Sequence, residues 1–256
     1  MKIKVLAFVL ICFSTICADT YKKPKVTFSM IMKNEAGRKL RECLQEVVHY
    51  IDEAVIIDDG STDGSETIAE EVFKKANIPY RIIRNTESKF HKEYTLRQQQ
   101  WEETIKTNPE WILNIDADQI FEVAMRDEIH KLINQNHIDA WLFRLYDFWS
   151  ETHYRDDAMW GAHRAWGWCS LIRYKPGINY VWKETPQHCW HFPQNIHQFP
   201  MARSTMRLKH YGWANEADRI AKYYRYMQLD PGAKYGSQAH YDSILDSNPQ
   251  VTQWIE

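Results

Sequence analysis

The stretch Trp111-Ile112-Leu113-Asn114-Ile115-Asp116-Ala117-Asp118 decides how the rest of this 256-residue chain is read. A mostly apolar run leads straight into two carboxylates spaced i, i+2. A short run of this kind, bounded by polar residues, predicts a buried strand. In an open parallel sheet the ligand crevice lies outside the carboxyl ends of the strands, which is where Asp116 and Asp118 fall. Extended backbone turns residues i and i+2 to one face, so both carboxylates can address the same point. Two hard oxygen donors suit Mg²⁺ or Mn²⁺, with positions left for water and phosphate oxygens. The plain alternative is an Asp-Ala-Asp that caps a helix after a strand.

On the N-terminal side, Lys25 to Met32 predicts a first buried strand and Lys33 to Gly37 a polar turn. From Arg38 to Tyr50, Leu40, Cys43, Leu44, Val47 and Val48 recur at helical spacing. Glu53 to Ile57 predicts a second strand, ending in Asp58-Asp59-Gly60-Ser61-Thr62-Asp63-Gly64-Ser65. A helix over about Glu66 to Ala76, a strand over Tyr80 to Arg84 and a helix over Tyr94 to Thr107 follow. Strand–helix alternation at this spacing predicts an α/β architecture: three layers, with a mostly parallel central sheet between helices. Beyond the acidic triplet, Met125 to Asn136 reads as a helix and Ala140 to Leu145 as a strand. The chain then turns irregular to about Tyr211, rich in Trp, His and Pro, with Ser170 to Tyr174 as its clear strand. Asn215 predicts an N-cap for a helix to about Met227, and residues from Pro231 onward read as a loosely packed tail.

Three polar groups therefore sit at predicted strand ends: Asn34-Glu35, Asp58-Asp59-Gly60-Ser61 and Asp116-Ala117-Asp118. All three should line one edge of the sheet. A carboxylate there can accept from a nucleobase N–H or a ribose hydroxyl, and Gly60 lets backbone approach a ligand closely. An ordinary βα turn with Asx chemistry is the competing reading of the Asp58 segment.

Composition narrows the function classes. Apolar content of 44% and charged content of 26% are those of a globular domain, which excludes wholesale disorder. A net charge of −2 gives no electrostatic case for nucleic acid. Eleven Trp and fourteen Tyr serve packing, and some of them can stack on sugar faces. At the start of the chain, Lys2 and Lys4 precede the apolar run Val5 to Cys17, and Cys17-Ala18-Asp19 offers a small-residue exit. Residues 1–18 have the outline of a secretory signal peptide and are too short to span a bilayer comfortably. A short uncleaved anchor or a buried element are the alternatives. A working leader implies the secretory pathway or a membrane, and an inactive one the cytoplasm. The cysteines, Cys12, Cys17, Cys43, Cys169 and Cys189, form no CxxC pair and no zinc spacing. Export would allow a Cys169–Cys189 disulfide and leave Cys43 as a buried thiol.

Taken together, Phe28 to Glu35, Ile56 to Asp63, Trp111 to Asp118, and Leu208-Lys209-His210-Tyr211-Gly212 with its following helix resemble glycosyltransferase family 2. These are inverting enzymes of the GT-A fold. The resemblance covers residues 25–228 as one domain, between the 1–18 leader or anchor and a 229–256 tail. It implies metal-dependent transfer of a sugar from a nucleotide-sugar, a UDP-sugar foremost, to a hydroxyl of a glycan, lipid-linked or protein acceptor. At matching positions, Asp58 and Asp59 would hold uracil and ribose, with Asn34 and Glu35 in the same site. Arg97 would touch the pyrophosphate or brace Asp59. Asp116 would reach the ribose or a metal-bound water, and Asp118 would bind the metal directly. His210 would complete the metal shell, favouring Mn²⁺ over Mg²⁺; a structural histidine is the alternative.

Inversion also implies a carboxylate on the acceptor side that deprotonates the incoming hydroxyl. Glu151, Asp156, Asp157 and Glu184 are candidates. Glu184 is preferred because its aromatic surroundings could bury it and raise its pKa. Gln119 departs from the family's frequent Asp-Ala-Asp-Glu, which implies altered metal dependence or acceptor handling. Two other readings compete. A sugar nucleotidyltransferase needs a Gly-rich loop after the first strand, where Lys33 to Gly37 stands instead. An exported carbohydrate-binding protein derived from a transferase would bind glycan without nucleotide or metal.

Overall fold

The computed structural model describes residues 23–165, 167–186 and 188–256, so the leader-like residues 1–18 lie outside it. Its first strand, β1 (Val26–Met32), is buried at every position, as a strand covered on both faces should be. Val26, Phe28, Met30 and Met32 pack with Leu40, Cys43 and Leu44 of α1 (Leu40–Val47). The alternate residues face α3 (Glu93–Ile105) and the turn after it. There the Thr27 and Thr107 hydroxyls pair at 2.9 Å, those of Ser29 and Thr104 pair at 2.7 Å, and Ile31 meets Leu96. These paired hydroxyls satisfy polar atoms that burial would otherwise penalise. Two faces with two chemistries hold β1 in a single register.

The parallel half runs in the order β3-β2-β1-β4, with β2 (Glu53–Asp58), β3 (Tyr80–Arg84) and β4 (Trp111–Asn114). Helices α1 and α2 (Ser65–Ala76) share one side of this sheet and α3 covers the other, giving the expected three layers. The second half supplies β5 (Gln119–Phe121), α4 (Met125–Ile133), β6 (Ala140–Asp147), β7 (His153–Arg155), β8 (Trp168–Arg173) and β9 (Met201–His210). It closes with α5 (Glu216–Leu229), α6 (Gln238–Ser243) and β10 (Val251–Gln253). The large sheet continues as β4-β8-β6-β9-β5. Strand β8 is antiparallel to both neighbours, while β9 is parallel to β6 and antiparallel to β5. The chain is thus α/β around a mixed sheet whose parallel pairs are concentrated in its N-terminal half.

Three expectations change. Strand β9 lies in the region read as irregular. Ala202, Met206 and Leu208 face the core, while Arg203, Thr205, Arg207 and Lys209 alternate with them. So weak an apolar face hid the period of two. Residues 229–256 are packed rather than loose: Tyr241 and Ile244 are buried with Trp149, Trp160 and Trp213, and β10 pairs with β7. Buried Asp230 accepts the Tyr241 hydroxyl at 2.8 Å, which fixes this segment to the end of α5. Finally, Cys169 and Cys189 are free thiols, so the conditional disulfide is not formed. Burial pushes the Cys169 thiol up to about 12. Asn215 does cap α5, its side chain accepting the Ala217 N–H at 2.8 Å. Among the described residues no helix is long and apolar enough to cross a membrane.

Candidate active site

The ends of β1 and β2 are stitched together before any ligand is considered. Asn34 adopts φ 54°, a left-handed conformation that asparagine tolerates well. Its N–H donates to Ser61 Oγ at 3.0 Å, and its side-chain oxygen accepts the Thr62 N–H at 2.9 Å. The Glu35 N–H donates to Ser65 Oγ at 2.7 Å. Gly60 sits at φ 79°, and a Cβ there would come within 3.3 Å of the Asn85 carbonyl. The two aspartates of this turn differ. Asp58 Oδ1 accepts the Ser61 N–H at 2.8 Å, while its buried Oδ2 has no hydrogen-bond partner among the described residues. Asp59 is fully engaged, accepting from Asn85 Nδ2 at 2.8 Å, Ser88 Oγ at 2.6 Å and the Lys89 N–H at 2.9 and 3.0 Å.

The DxD carboxylates differ just as sharply. Asp116 Oδ1 meets the Arg97 guanidinium at 3.2 Å and Oδ2 meets His191 Nε2 at 3.1 Å. Trp168 donates its indole N–H to His191 Nδ1 at 3.3 Å, so Nε2 carries the proton that Asp116 accepts. Burial opposes ionisation of Asp116, but the His191 and Arg97 partners outweigh it and hold the carboxyl well below the usual range. Arg97 is therefore a brace of Asp116, shared with Glu93, and makes no contact with Asp59, which has its own donors. The Gln119 side chain accepts the Asp116 N–H at 3.1 Å and is buried, so it locks the turn instead of facing a substrate.

Sheet register builds the other half of the site. Gln119 on β5 lies opposite His210 on β9, and Asp147 on β6 lies opposite His210 from the other side. This brings Asp118, the residue just ahead of β5, close to His210 and Asp147. His210 Nδ1 donates to Asp147 Oδ1 at 2.7 Å, and Asp147 also accepts the Trp213 indole N–H at 3.2 Å. His210 Nε2 is left 3.6 Å from Asp118 Oδ1, a buried oxygen with no hydrogen-bond partner among the described residues. Burial works against a charged His210, but the carboxylates of Asp118 and Asp147 hold its pKa above the ordinary value.

Lys222 on α5 approaches Asp118 Oδ2 at 3.7 Å, with its ammonium 4.4 Å from the centre of the Trp213 ring. Gly212 keeps this cluster open. A Cβ there would lie 2.3 Å from Lys222 Nζ and 2.6 Å from both Asp118 Oδ2 and His210 Nε2. Glu35 closes the rim: burial first, and the Asp118 charge second, raise its carboxyl to about 7 against the opposing pull of Arg38. Arg38 bridges Glu35 at 3.3 Å and Asp218 at 2.9 Å, tying α5 to the end of β1.

The donor set fits a divalent ion with few protein ligands. Asp118 offers an orphaned carboxylate oxygen. The Asp147 bond holds the His210 proton on Nδ1, so that loss of the Nε2 proton would turn a lone pair the same way, as outer-shell carboxylates do at metal sites. The described residues hold no group of three or more His, Cys, Asp or Glu side chains that could hold an ion. Two protein donors leave the remaining positions to water and phosphate oxygens, the pattern usual for Mg²⁺ and Mn²⁺ at phosphate sites.

Among the candidate base carboxylates, Glu151 pairs with Lys39 at 2.6 Å, Asp156 pairs with Arg164 and His163, and Asp157 pairs with Arg155 at 2.6 Å. Glu184 is exposed and has no hydrogen bond or ion pair among the described residues, so the burial expected of it is absent. Asp147, His191 and Lys222 were not anticipated. The strand-end rule that singled out Asp58 and Asp116 would have found Asp147 had β6 been extended past Leu145. His191 and Lys222 carry no local signal.

Residues 27–198 match the family Glycosyl transferase family 2. An uncharacterized protein of Mycobacterium tuberculosis is 26% identical over 228 residues, covering 85% of this chain and 54% of its own. An uncharacterized glycosyltransferase of Rickettsia felis is 31% identical over 119 residues, 46% of this chain and 37% of its own. The chain thus spans about half the length of the mycobacterial relative and little more than a third of the rickettsial one. Among solved structures, residues 1–349 of S. aureus TarS share the fold. That comparison has a TM-score of 0.50 at 13% identity, covering 86% of this chain and 69% of that one.

Proposed function

The chain belongs to glycosyl transferase family 2, and from that premise we propose that it moves a sugar, with inversion, from a nucleotide-sugar to an acceptor hydroxyl. A UDP-sugar is the donor in this reading, and a glycan, lipid-linked or protein hydroxyl the acceptor. The observation that carries the proposal is an orphaned Asp118 Oδ1 placed 3.6 Å from His210 Nε2, beside a glycine that leaves room against Asp118 Oδ2 and His210 Nε2.

Asp118 and His210 would hold the divalent cation, which when bound supplies Lewis-acid stabilisation of the departing diphosphate, worth several kcal/mol. Asp147 keeps the His210 proton on Nδ1 and so keeps Nε2 available. Asp58 uses its unpaired oxygen to accept from the nucleobase. Asp59 acts through the Asn85–Lys89 segment that it holds, and Asn34 keeps the two turns in register. Asp116, already gripped by Arg97 and His191, orients the turn that carries Asp118 and reaches at most a ribose hydroxyl or an outer-shell water. Glu184 is the acceptor-side base, because the competing carboxylates Glu151, Asp156 and Asp157 are committed to cations.

A screen of nucleotide-sugars for metal-dependent release of nucleoside diphosphate tests this reading. Release with a UDP-sugar and Mn²⁺, abolished by chelation and by Asp118→Ala, is the expected result. UDP binding that is indifferent both to chelation and to Asp118→Ala would overturn it.

A further inference from the structure

Lys222 is a group of this cluster that the reading above does not use, and its surroundings are specific. It comes from α5, whose position is set by the Asn215 cap and by the Asp218–Arg38 pair. Its ammonium lies over the Trp213 ring, 4.4 Å from the ring centre, and 3.7 Å from Asp118 Oδ2. The side chain is mostly buried, with 14% of its surface exposed. The point where a Gly212 Cβ would stand is within 2.6 Å of Lys222 Nζ, Asp118 Oδ2 and His210 Nε2 alike. A flexible cation thus shares one small space with the two donors that fit a metal. At 3.7 Å it sits beyond hydrogen-bond distance of Asp118, so it neutralises the carboxylate without being fastened to it.

We propose that Lys222 couples cation and nucleotide binding: it screens Asp118 in the empty site and turns to the diphosphate oxygens when a nucleoside diphosphate arrives with its divalent ion. The proposal rests on the nucleotide-sugar reading given above. Two like charges cannot both sit against one buried carboxylate without repulsion, so a divalent ion alone binds against the Lys222 charge. A diphosphate supplies new oxygens for the ammonium, and a compact ammonium on a four-carbon stem can turn to them. Cation and nucleotide therefore bind with positive coupling, which thermodynamics makes reciprocal. The physical consequence is a site that takes up its metal as a nucleotide complex and holds the bare ion weakly.

The test titrates Mn²⁺ alone, UDP alone, and UDP at saturating Mn²⁺ into wild type, Lys222→Met and Lys222→Arg, following free Mn²⁺ by electron paramagnetic resonance and UDP by calorimetry. Methionine keeps an unbranched side chain of similar length while removing the charge. Lys222→Met should bind Mn²⁺ alone several-fold tighter than wild type and bind UDP at saturating Mn²⁺ about tenfold weaker, within the usual range of coupling factors. Lys222→Arg should retain the wild-type order of affinities and guards against a folding artefact. Unchanged or weaker Mn²⁺ affinity in Lys222→Met, or unchanged UDP affinity, overturns the proposal and leaves the enzyme assignment standing. Failure of wild type to bind UDP with Mn²⁺ defeats the nucleotide-sugar reading itself.

Discussion

A single methyl group at Gly212 is the sharpest probe of the site. Gly212 is not among the residues with positive φ, so alanine costs no backbone strain there and the substitution tests space alone. The new Cβ would lie 2.3 Å from Lys222 Nζ and 2.6 Å from both Asp118 Oδ2 and His210 Nε2. Favourable contacts to carbon begin near about 3.5 Å, so each group must retreat by about 1 Å. Lys222 can swing away. Asp118 and His210 cannot yield as easily, because one abuts a paired strand and the other is tethered to Asp147 at 2.7 Å. Metal–ligand distances tolerate only about 0.2 Å of error, so a shift of this size removes both ligands from useful geometry.

Disturbing outer-shell partners alone costs about 10–100-fold in metal affinity. Gly212→Ala should therefore lose about 100-fold in Mn²⁺-dependent UDP affinity, close to 2.7 kcal/mol. The fold should be spared: overpacking near the rim costs about 1 kcal/mol, a drop of about 2–4 °C in Tm. Isothermal titration with UDP and Mn²⁺, paired with a thermal melt, measures both. A folded Gly212→Ala with wild-type affinity and wild-type metal dependence would refute the placement of the cation between Asp118 and His210.

Asp147→Asn keeps the shape beside His210 and an oxygen that accepts from both His210 Nδ1 and Trp213, but removes the carboxylate charge that makes the ring a better metal ligand. Mn²⁺ affinity should fall about 10–100-fold with little change in Tm, and an unchanged affinity in calorimetry would show that His210 is structural. Glu184→Gln should lower kcat at least about 100-fold with UDP affinity intact, and an unchanged kcat in a steady-state assay removes Glu184 as the base. Glu35 makes a prediction about pH in chelated, metal-free protein. Its folded pKa of about 7 lies above its ordinary 4.5, so between these values the folded state keeps a proton that the unfolded state releases. That contribution to stability is complete below about 4.5 and lost as pH rises through about 7. Glu35→Gln should flatten the profile and gain about 2 kcal/mol over wild type at pH 8, after allowance for partial exposure. Parallel melting profiles for the two proteins from pH 4 to 8 would contradict the burial of that charge.

The contrast between the two halves of the sheet explains what the sequence could and could not say. Strands β1, β2 and β4 are buried on both faces and announce themselves as apolar runs. The parallel half, with Asp58 and Asp116 at its edge, follows from local pattern and the strand-end rule. Strand β9 has one face of Ala202, Ser204, Met206 and Leu208 and another of Arg203, Thr205, Arg207 and Lys209. Its period is two, but the apolar face is too weak to declare itself beside so many aromatic and polar neighbours. Losing β9 loses the register that sets Asp147 and Gln119 on either side of His210. His210 was legible as a residue type in a motif; its partners were not, since they come from pairings between strands far apart in the chain.

The same non-local logic breaks the apparent equivalence of the two DxD carboxylates. In sequence they are interchangeable donors on one face. In the fold, Asp116 is claimed by Arg97 from α3 and by His191 from the loop after β8, while Asp118 keeps an oxygen free. A carboxylate with both oxygens engaged by cationic or N–H donors gains little from a metal and would have to surrender those bonds to bind one. An unpaired buried oxygen gains the full difference. Substitution should therefore separate them: loss of Asp118 removes metal-dependent binding from an otherwise stable protein. Loss of Asp116 leaves the Arg97 charge buried with only Glu93 to balance it, and its first effect falls on stability, by about 3 kcal/mol. Equal effects of the two substitutions on Mn²⁺ affinity, at equal Tm, would mean that Arg97 and His191 release Asp116 when the ion binds.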